Sequence, residues 1–279
     1  SFNHTLIRSI LGGIFPCPDE VTRLFAVSNA NGQRTPMVLD FGSGSGLWCM
    51  QAAMEFPHVN VVGVDTIRST PPHIPSNCMY AHNSYMCRRS RIDIRFSSFE
   101  TATITECVTK YCQLICSLCQ CLPPGGMIIL GESDFCLLDQ HKNLVTIRAD
   151  NDDNPAHSFL ARFLSELCKV KRRNMVELGA WNLDLILKET ALFNCIQYRS
   201  CLAPIGWHGD GTLTNGNIVG RMMKKNAYEF TRAWHHHLFI SFPVEVVDKW
   251  IVAINDELHK PEILRQYNTW HYAWADKSF

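Results

Sequence analysis

The sequence carries no excess of either charge: 26 basic residues balance 26 acidic ones over 279 residues. A nucleic-acid binder, or a protein held on an anionic membrane, needs a basic surplus to neutralise phosphates, so neither partner is expected. Nor does any uninterrupted apolar stretch approach the roughly 20 residues of a membrane span. The opening Ser1-Phe2-Asn3-His4 lacks signal-peptide character. A secreted disulfide framework is missing too, for the 13 cysteines are odd in number and scattered. These absences together predict a cytoplasmic protein with reduced thiols.

Metal-site spacing is also missing. Cys112, Cys116 and Cys119 recur at i, i+4 and i+7 on a helix expected from Glu106 to Leu122, so their thiols spread over two turns instead of converging on one zinc. They read as small apolar groups packing that helix on a sheet. His235, His236 and His237 are consecutive, and successive helical residues point about 100° apart, which keeps three imidazoles from closing on one ion. No metal is expected. The basic run from Lys169 to Arg173 has no interleaved aromatics and reads as a solvated helix end.

What the sequence does have is a βαβ pattern between Met37 and Asp65. The apolar run Met37-Val38-Leu39 ends on Asp40, and Asp40-Phe41-Gly42-Ser43-Gly44-Ser45-Gly46 follows as a glycine loop. Then come a helix-like segment from Leu47 to Glu55, a break at Pro57 and a second apolar run, Val59 to Val64, ending on Asp65. Glycines at every second position let the backbone turn sharply and approach a ligand with no Cβ in the way. A nucleotide-like molecule then lies across the strand tips, where open α/β sheets bind ligands, and Asp65 is set to accept hydrogen bonds from ribose hydroxyls. The loop offers no basic side chain to a pyrophosphate. It carries an acid two residues before its first glycine, where a plain dinucleotide fold usually has none. The pattern resembles motif I of the class I S-adenosylmethionine-dependent methyltransferases. Candidate cofactor residues are Asp40, Gly42, Ser43, Gly44, Gly46, Asp65 and Thr66, with Asn83 after the third strand reaching the adenine edge.

Along the rest of the chain, apolar periodicity predicts helices from Thr5 to Ile10 and from Pro18 to Val27, the latter with Asp19 and Glu20 in its first turn. Further strands are expected from Cys78 to Ala81, Arg91 to Phe96, Met127 to Leu130 and Phe193 to Cys201. The fifth should end at a polar tip, Gly131-Glu132-Ser133-Asp134-Phe135, and Ala203 to Gly211 reads as a turn-rich loop. Helices follow from Ala156 to Val170, Asn182 to Thr190, Asn217 to Phe239 and Pro243 to Leu258, and the tail from Tyr267 to Trp274 alternates as a last strand. The expected architecture is α/β, a Rossmann-like single domain over residues 1–279. Its parts are an N-terminal helical segment (1–35), a core (36–205), a helical lid (206–262) and a final strand (263–279).

Several stretches together resemble one subfamily, the fungal LaeA-like methyltransferases of secondary metabolism. They are Leu11 to Pro16, Val38 to Trp48, Glu55 to Asp65, Pro75 to Cys78, Leu122 to Gly126 with Gly131 to Phe135, and Pro204 to Trp207. The resemblance implies a seven-stranded, mostly parallel sheet with its last strand antiparallel. It also implies methyl transfer from S-adenosylmethionine, with S-adenosylhomocysteine as product. Two departures stand out. His82-Asn83 replaces the usual acidic pair after the third strand, and Phe96 stands where the fourth strand usually carries a histidine.

The expected reaction is methylation of a small, partly hydrophobic molecule at oxygen, by in-line attack on the sulfonium methyl group, which depends above all on positioning. A base serves only where the acceptor must lose a proton. His208 and Glu132 are the candidate catalytic groups, His208 because its pKa range suits a base. Phe96, Trp207, Met223 and Trp234 are candidate substrate walls. Two alternatives keep the fold: a cyclase or pericyclase using the sulfonium as a fixed charge, and a LaeA-like regulatory subunit. A homodimer or a protein partner stays open.

Overall fold

The structure is a computed structural model that describes residues 2–30, 35–65, 73–82, 94–98, 115–173 and 182–278. Thr66, Asn83 and the first part of the helix expected from Glu106 lie outside these residues; positions 115–119 of that helix are helical. Two helices, α1 (Phe2–Leu11) and α2 (Pro18–Ala30), lead into β1 (Met37–Phe41), α3 (Leu47–Glu55), β2 (Asn60–Asp65), β3 (Cys78–His82), β4 (Ile94–Ser98) and β5 (Met127–Asp139). Helices α4 (Phe159–Arg173) and α5 (Leu183–Thr190) precede β6 (Phe193–Ile205). The chain then forms α6 (Gly216–Trp234), a 3-10 helix (His235–Ile240) and α7 (Val244–His259), and closes with β7 (Gln266–Lys277).

The strands form one sheet in the order β3-β2-β1-β4-β5-β7-β6. Neighbours from β3 to β5 run parallel, and β7 runs antiparallel to both β5 and β6. Strand β2 and the start of β5 are valine- and isoleucine-rich, as strands covered by helices on both faces tend to be. Val38, Val61 and Ile129 pack with α2 and α3 on one side. Leu39, Ile128 and Leu130 pack with Ile115 and α5 on the other. At the end of α3, Asn77 caps the turn: its Nδ2 donates to the carbonyls of Ala53, Phe56 and Val59 at 3.0, 3.3 and 2.8 Å. Orphan carbonyls at a helix end need such partners, which gives the Pro75 to Cys78 stretch a structural role.

Three expectations need correction. The fifth strand does not stop at Leu130 but continues to Asp139, so Glu132 and Asp134 sit within a strand, not at its tip. The sixth likewise runs through Ala203, Pro204 and Ile205. The cause is the long last strand: β7 pairs with Gly131 to Asp139 on one side and with Arg199 to Ile205 on the other, so backbone groups beyond the parallel layer are satisfied by a partner. A register shift between Ser133 and Leu137 absorbs the mismatch. Third, the helix expected to reach Phe239 breaks after Trp234 into the 3-10 helix.

The segment between β6 and β7 is anchored by backbone contact. Gly206 N donates to Gly220 O at 2.9 Å. A Cβ on Gly216 or Gly220 would fall 2.0 Å from His208 O or 1.9 Å from Trp207 O, so only glycine admits this approach of α6 to the chain leaving β6. The apolar face of the insert, including Val219, Val247 and Trp250, packs with Leu6 and Ile10 of α1 and Leu167 of α4.

Candidate functional site

The glycine loop joins β1 to α3 at the carboxy-terminal edge of the parallel strands. Gly42, Gly44 and Gly46 have φ of 83°, 51° and 73°, the left-handed region that side chains with a Cβ rarely adopt. Gly42 N and Ser43 N donate to Val64 O at 2.7 and 3.1 Å, tying the loop to the end of β2. Asp65, next in β2, accepts from Gly44 N at 2.7 Å through Oδ2. A Cβ at Gly44 would meet nothing within 4 Å, so the crest of the loop faces open space. The two acids at the strand ends thus differ. Asp65 is half-buried and lies on the loop's crest side, whereas Asp40 is buried beneath it.

Asp40 faces Cys49, whose Sγ donates to Oδ2 at 3.2 Å. Burial pushes the Asp40 carboxyl up to about 7; the Cys49 hydrogen bond opposes this and the charge of Asp65 adds to it. Burial and the neighbouring Asp40 hold the Cys49 thiol far above its ordinary value, which keeps it a donor. Asp40 therefore braces the loop from below. Tyr80 of β3 closes the same layer, its hydroxyl donating to Gly46 O at 2.6 Å. A Cβ on Gly46 would stand 2.5 Å from the Tyr80 ring.

The chain before β1 leans on the start of α3. Trp48 Nε1 donates to Ile14 O at 3.0 Å, Phe15 meets the Trp48 ring edge-on at 5.4 Å, and Arg199 of β6 donates to Pro16 O at 3.3 Å. His4 hydrogen-bonds Gln51 on α3.

The remaining candidates do not gather in one place. Phe96 aligns with Asp40 in β1 and Ile129 in β5, in the middle of β4. Glu132 pairs with His271 one position beyond Gly131, which itself pairs with Ser98 at the end of β4. Trp207 and His208 follow Ile205, the partner of Gln266, so five residues of β7, roughly 17 Å, separate their level from that of Glu132. Trp207 Nε1 donates to Gln266 O at 2.9 Å, and its ring meets Tyr267 at 5.0 Å. Exposed His208 lines a recess of about 440 Å³ with Gln140, His141, Asp210 and Arg265. The structure therefore does not bring His208 together with Glu132. Met223 is 3% exposed within the apolar cluster under the insert, and Trp234 stacks on Phe230 at 5.8 Å. Both belong to packing that amphipathic periodicity alone could not tell from a substrate wall.

Two groups escaped the sequence reading. Tyr80 gave no local signal, because its partners Gly46 and Gly63 are distant in sequence. His271 did give one: it is a titratable residue inside the otherwise apolar, aromatic run Trp270 to Trp274. Its imidazole is 6% exposed and hydrogen-bonds the Tyr198 hydroxyl through Nδ1, while Nε2 lies 3.7 Å from Asp134 Oδ2. Among the described residues, no three His, Cys, Asp or Glu side chains gather where they could hold a metal ion. No helix among them is long and apolar enough to cross a membrane.

No family model matches the chain. The secondary metabolism regulator laeA of Coprinopsis cinerea is 27% identical over 113 residues, covering 36% of this chain and 25% of that protein. Methyltransferase str3 of Strobilurus tenacellus is 28% identical over 102 residues, 35% of each. The matched stretches span about a quarter to a third of these relatives' own lengths. Among solved structures, phosphoethanolamine N-methyltransferase 2 of Haemonchus contortus with S-adenosyl-L-methionine aligns at 16% identity and a TM-score of 0.42, covering 92% of this chain and 53% of that one. The cyclopropane synthase MmaA2 of Mycobacterium tuberculosis aligns at 13% identity and 0.44, covering 91% and 83%. Over about a third of its length the chain is thus similar to a LaeA regulator and to a methyltransferase, and its sheet order and glycine loop agree with the resemblance that the sequence carries.

Proposed function

We propose that the protein methylates a small, partly hydrophobic acceptor of secondary metabolism, at oxygen, using S-adenosylmethionine. The observation that carries this reading is the Gly42–Gly46 loop, with Asp65 held against its central amide at the edge of a parallel sheet. Its donor set fits the cofactor: backbone amides without a basic side chain suit an amino acid joined to a nucleoside better than a pyrophosphate, and a carboxylate suits ribose hydroxyls. Gly42, Ser43, Gly44 and Gly46 would hold the amino-acid end and Asp65 the ribose, with Asp40 bracing the loop. Thr66 and Asn83 remain assigned to the nucleoside. When bound, the cofactor supplies an electrophilic methyl group. The chain's own contribution is to align an acceptor with it and exclude water, a role suited to the insert between β6 and β7 acting as a lid over the strand ends. Phe96, in the middle of β4, remains assigned to the acceptor.

The name of the C. cinerea relative supports a second reading, a regulatory subunit that binds the cofactor and acts through a protein partner. Calorimetric titration with S-adenosylmethionine and S-adenosylhomocysteine tests the shared core of both readings. Micromolar binding of each is expected, and loss of at least tenfold in affinity for Asp65→Ala. A folded protein that binds neither would overturn the assignment. Binding without turnover, alongside a stoichiometric partner in a pull-down, would favour the subunit.

A further inference from the structure

Asp40, Gly63 and Tyr80 stand side by side across β1, β2 and β3, for Gly63 is the register partner of Asp40 on one side and of Tyr80 on the other. Tyr80 is thus two strands away from β1, which carries the glycine loop, and yet it reaches that loop. Gly63 leaves the way open. A Cβ there would stand 2.7 Å from Tyr80 Cδ1 and 2.9 Å from Cys49 Sγ, so the ring crosses β2 through space that any other residue would fill. On the far side the ring meets Gly46, where a Cβ would stand 2.5 Å from Tyr80 Cε1. One glycine in the loop and one in β2 therefore make room for a single side chain.

The hydroxyl is placed as closely as the ring, donating to Gly46 O at 2.6 Å. That carbonyl already accepts from Met50 N at 3.1 Å in the first turn of α3, so the second bond does not rescue an orphan acceptor. It fixes a direction instead. A trans peptide is planar, with its N–H opposite its carbonyl. Holding Gly46 O towards Tyr80 and Met50 turns the Leu47 N–H the other way, out of the start of α3. Gly46 N donates to Ser43 O at 2.8 Å and holds the other flank. Gly46, at the N-cap, brings no side chain to the first amides of α3, and amides at a helix start favour a negatively charged ligand group. Burial, with Cys49, Cys78 and Asp40 nearby, raises the Tyr80 phenol above its ordinary value, so it stays protonated and donating at neutral pH.

We infer that Tyr80 is a positioning residue of the cofactor site, aiming the Leu47 amide at the carboxylate of the cofactor's amino-acid end. The inference rests on the methyltransferase reading and adds to it a residue from outside the glycine motif. Tyr80 acts through Gly46. Phenylalanine would fill the same space as the ring, so the hydroxyl alone carries this role.

The test titrates the unmodified protein and Tyr80→Phe with S-adenosylhomocysteine and with methylthioadenosine, which has the nucleoside and the thioether but no amino-acid end. 1H–15N correlation spectra follow both titrations, because they read weak binding as well as tight. Tyr80→Phe should bind S-adenosylhomocysteine roughly five- to tenfold more weakly, and methylthioadenosine within about twofold of the unmodified protein. A fold-wide weakening would lower both affinities alike. The Leu47 amide resonance should move when S-adenosylhomocysteine is added to the unmodified protein, and far less in the variant. Equal affinity of the two proteins for S-adenosylhomocysteine, an equal loss for both ligands, or a Leu47 amide that S-adenosylhomocysteine does not move would each overturn the inference and leave the cofactor site in place. An unmodified protein that binds neither ligand would mark the loss of the underlying reading instead, and the inference would fall with it.

Discussion

Asp40 is a carboxylate whose chemistry departs far from its ordinary state, and its position explains why. A strand end in an open sheet is normally wet, but the glycine loop folds over this one, and Cys49 and the Tyr80 ring close the layer around it. Burial raises the folded-state pKa to about 7, above the unfolded value. As pH rises from about 4, the unfolded chain releases this proton first, so the Asp40 contribution to stability falls until about pH 7 and is level beyond. Asp40→Asn removes the effect. Urea denaturation from pH 4 to pH 8 should show the variant gaining on the unmodified protein by up to ~4 kcal/mol across that window. A constant difference would mean that Asp40 is ionised in the folded state throughout. From sequence, Asp40 was legible as the acid of the motif, but its burial was not: that depends on Cys49 and Tyr80, nine and forty residues on.

At the scale of elements, local patterns were read well and lengths poorly. Helix α3 falls where the apolar spacing, the preceding glycine and Pro57 put it, because each of those signals acts within a few residues. The overruns of β5 and β6 depend on β7, over a hundred residues from β5, so the polar run Gly131 to Phe135 looked like an ending. The start of α4 shows the same dependence. Its first amides are satisfied from the distant helix α7: Glu257 accepts from Phe159 N at 2.8 Å, Leu160 N at 3.3 Å and Ser158 Oγ at 2.6 Å. Ser158 Oγ in turn accepts from Ala161 N at 2.9 Å, a local cap held in place by a remote one. Burial raises the Glu257 carboxyl, and these donors with Gln266 oppose the shift. Glu257→Ala leaves several buried donors unpaired, so a loss of about 2–4 kcal/mol is expected, whereas Lys260→Ala, in an exposed pair with Asp256, should change stability by less than about 0.5 kcal/mol. Chemical denaturation of both variants at one pH checks the contrast.

The whole molecule turns on β7. It is last in sequence among the strands yet lies between β5 and β6, so β6 has no place in the sheet until it docks. Its residues from Gln266 to Ala273 are all buried, with Tyr267, Tyr272 and Ala273 at or below 1% exposure, as befits a strand with neighbours on both edges and side chains against both layers. Such non-local pairing is slow to form, because loop-closure entropy precedes any gain from contact. The insert that separates β6 from β7 packs α6 on α1 and on the chain leaving β6. Ala273 sits at the centre, opposite Leu130 on one side and Tyr198 on the other. Ala273→Pro removes a ladder donor where no edge can absorb the loss. It also displaces the strand that carries His271. The variant should fail to give a cooperative thermal transition and should lose S-adenosylhomocysteine binding, although no residue of the glycine loop has changed. If it melts cooperatively and still binds, then β1 to β5 form an autonomous unit and β7 and β6 are an attachment to it; if both are lost together, the cofactor loop and the antiparallel strands are parts of one cooperative structure whose keystone is its last strand.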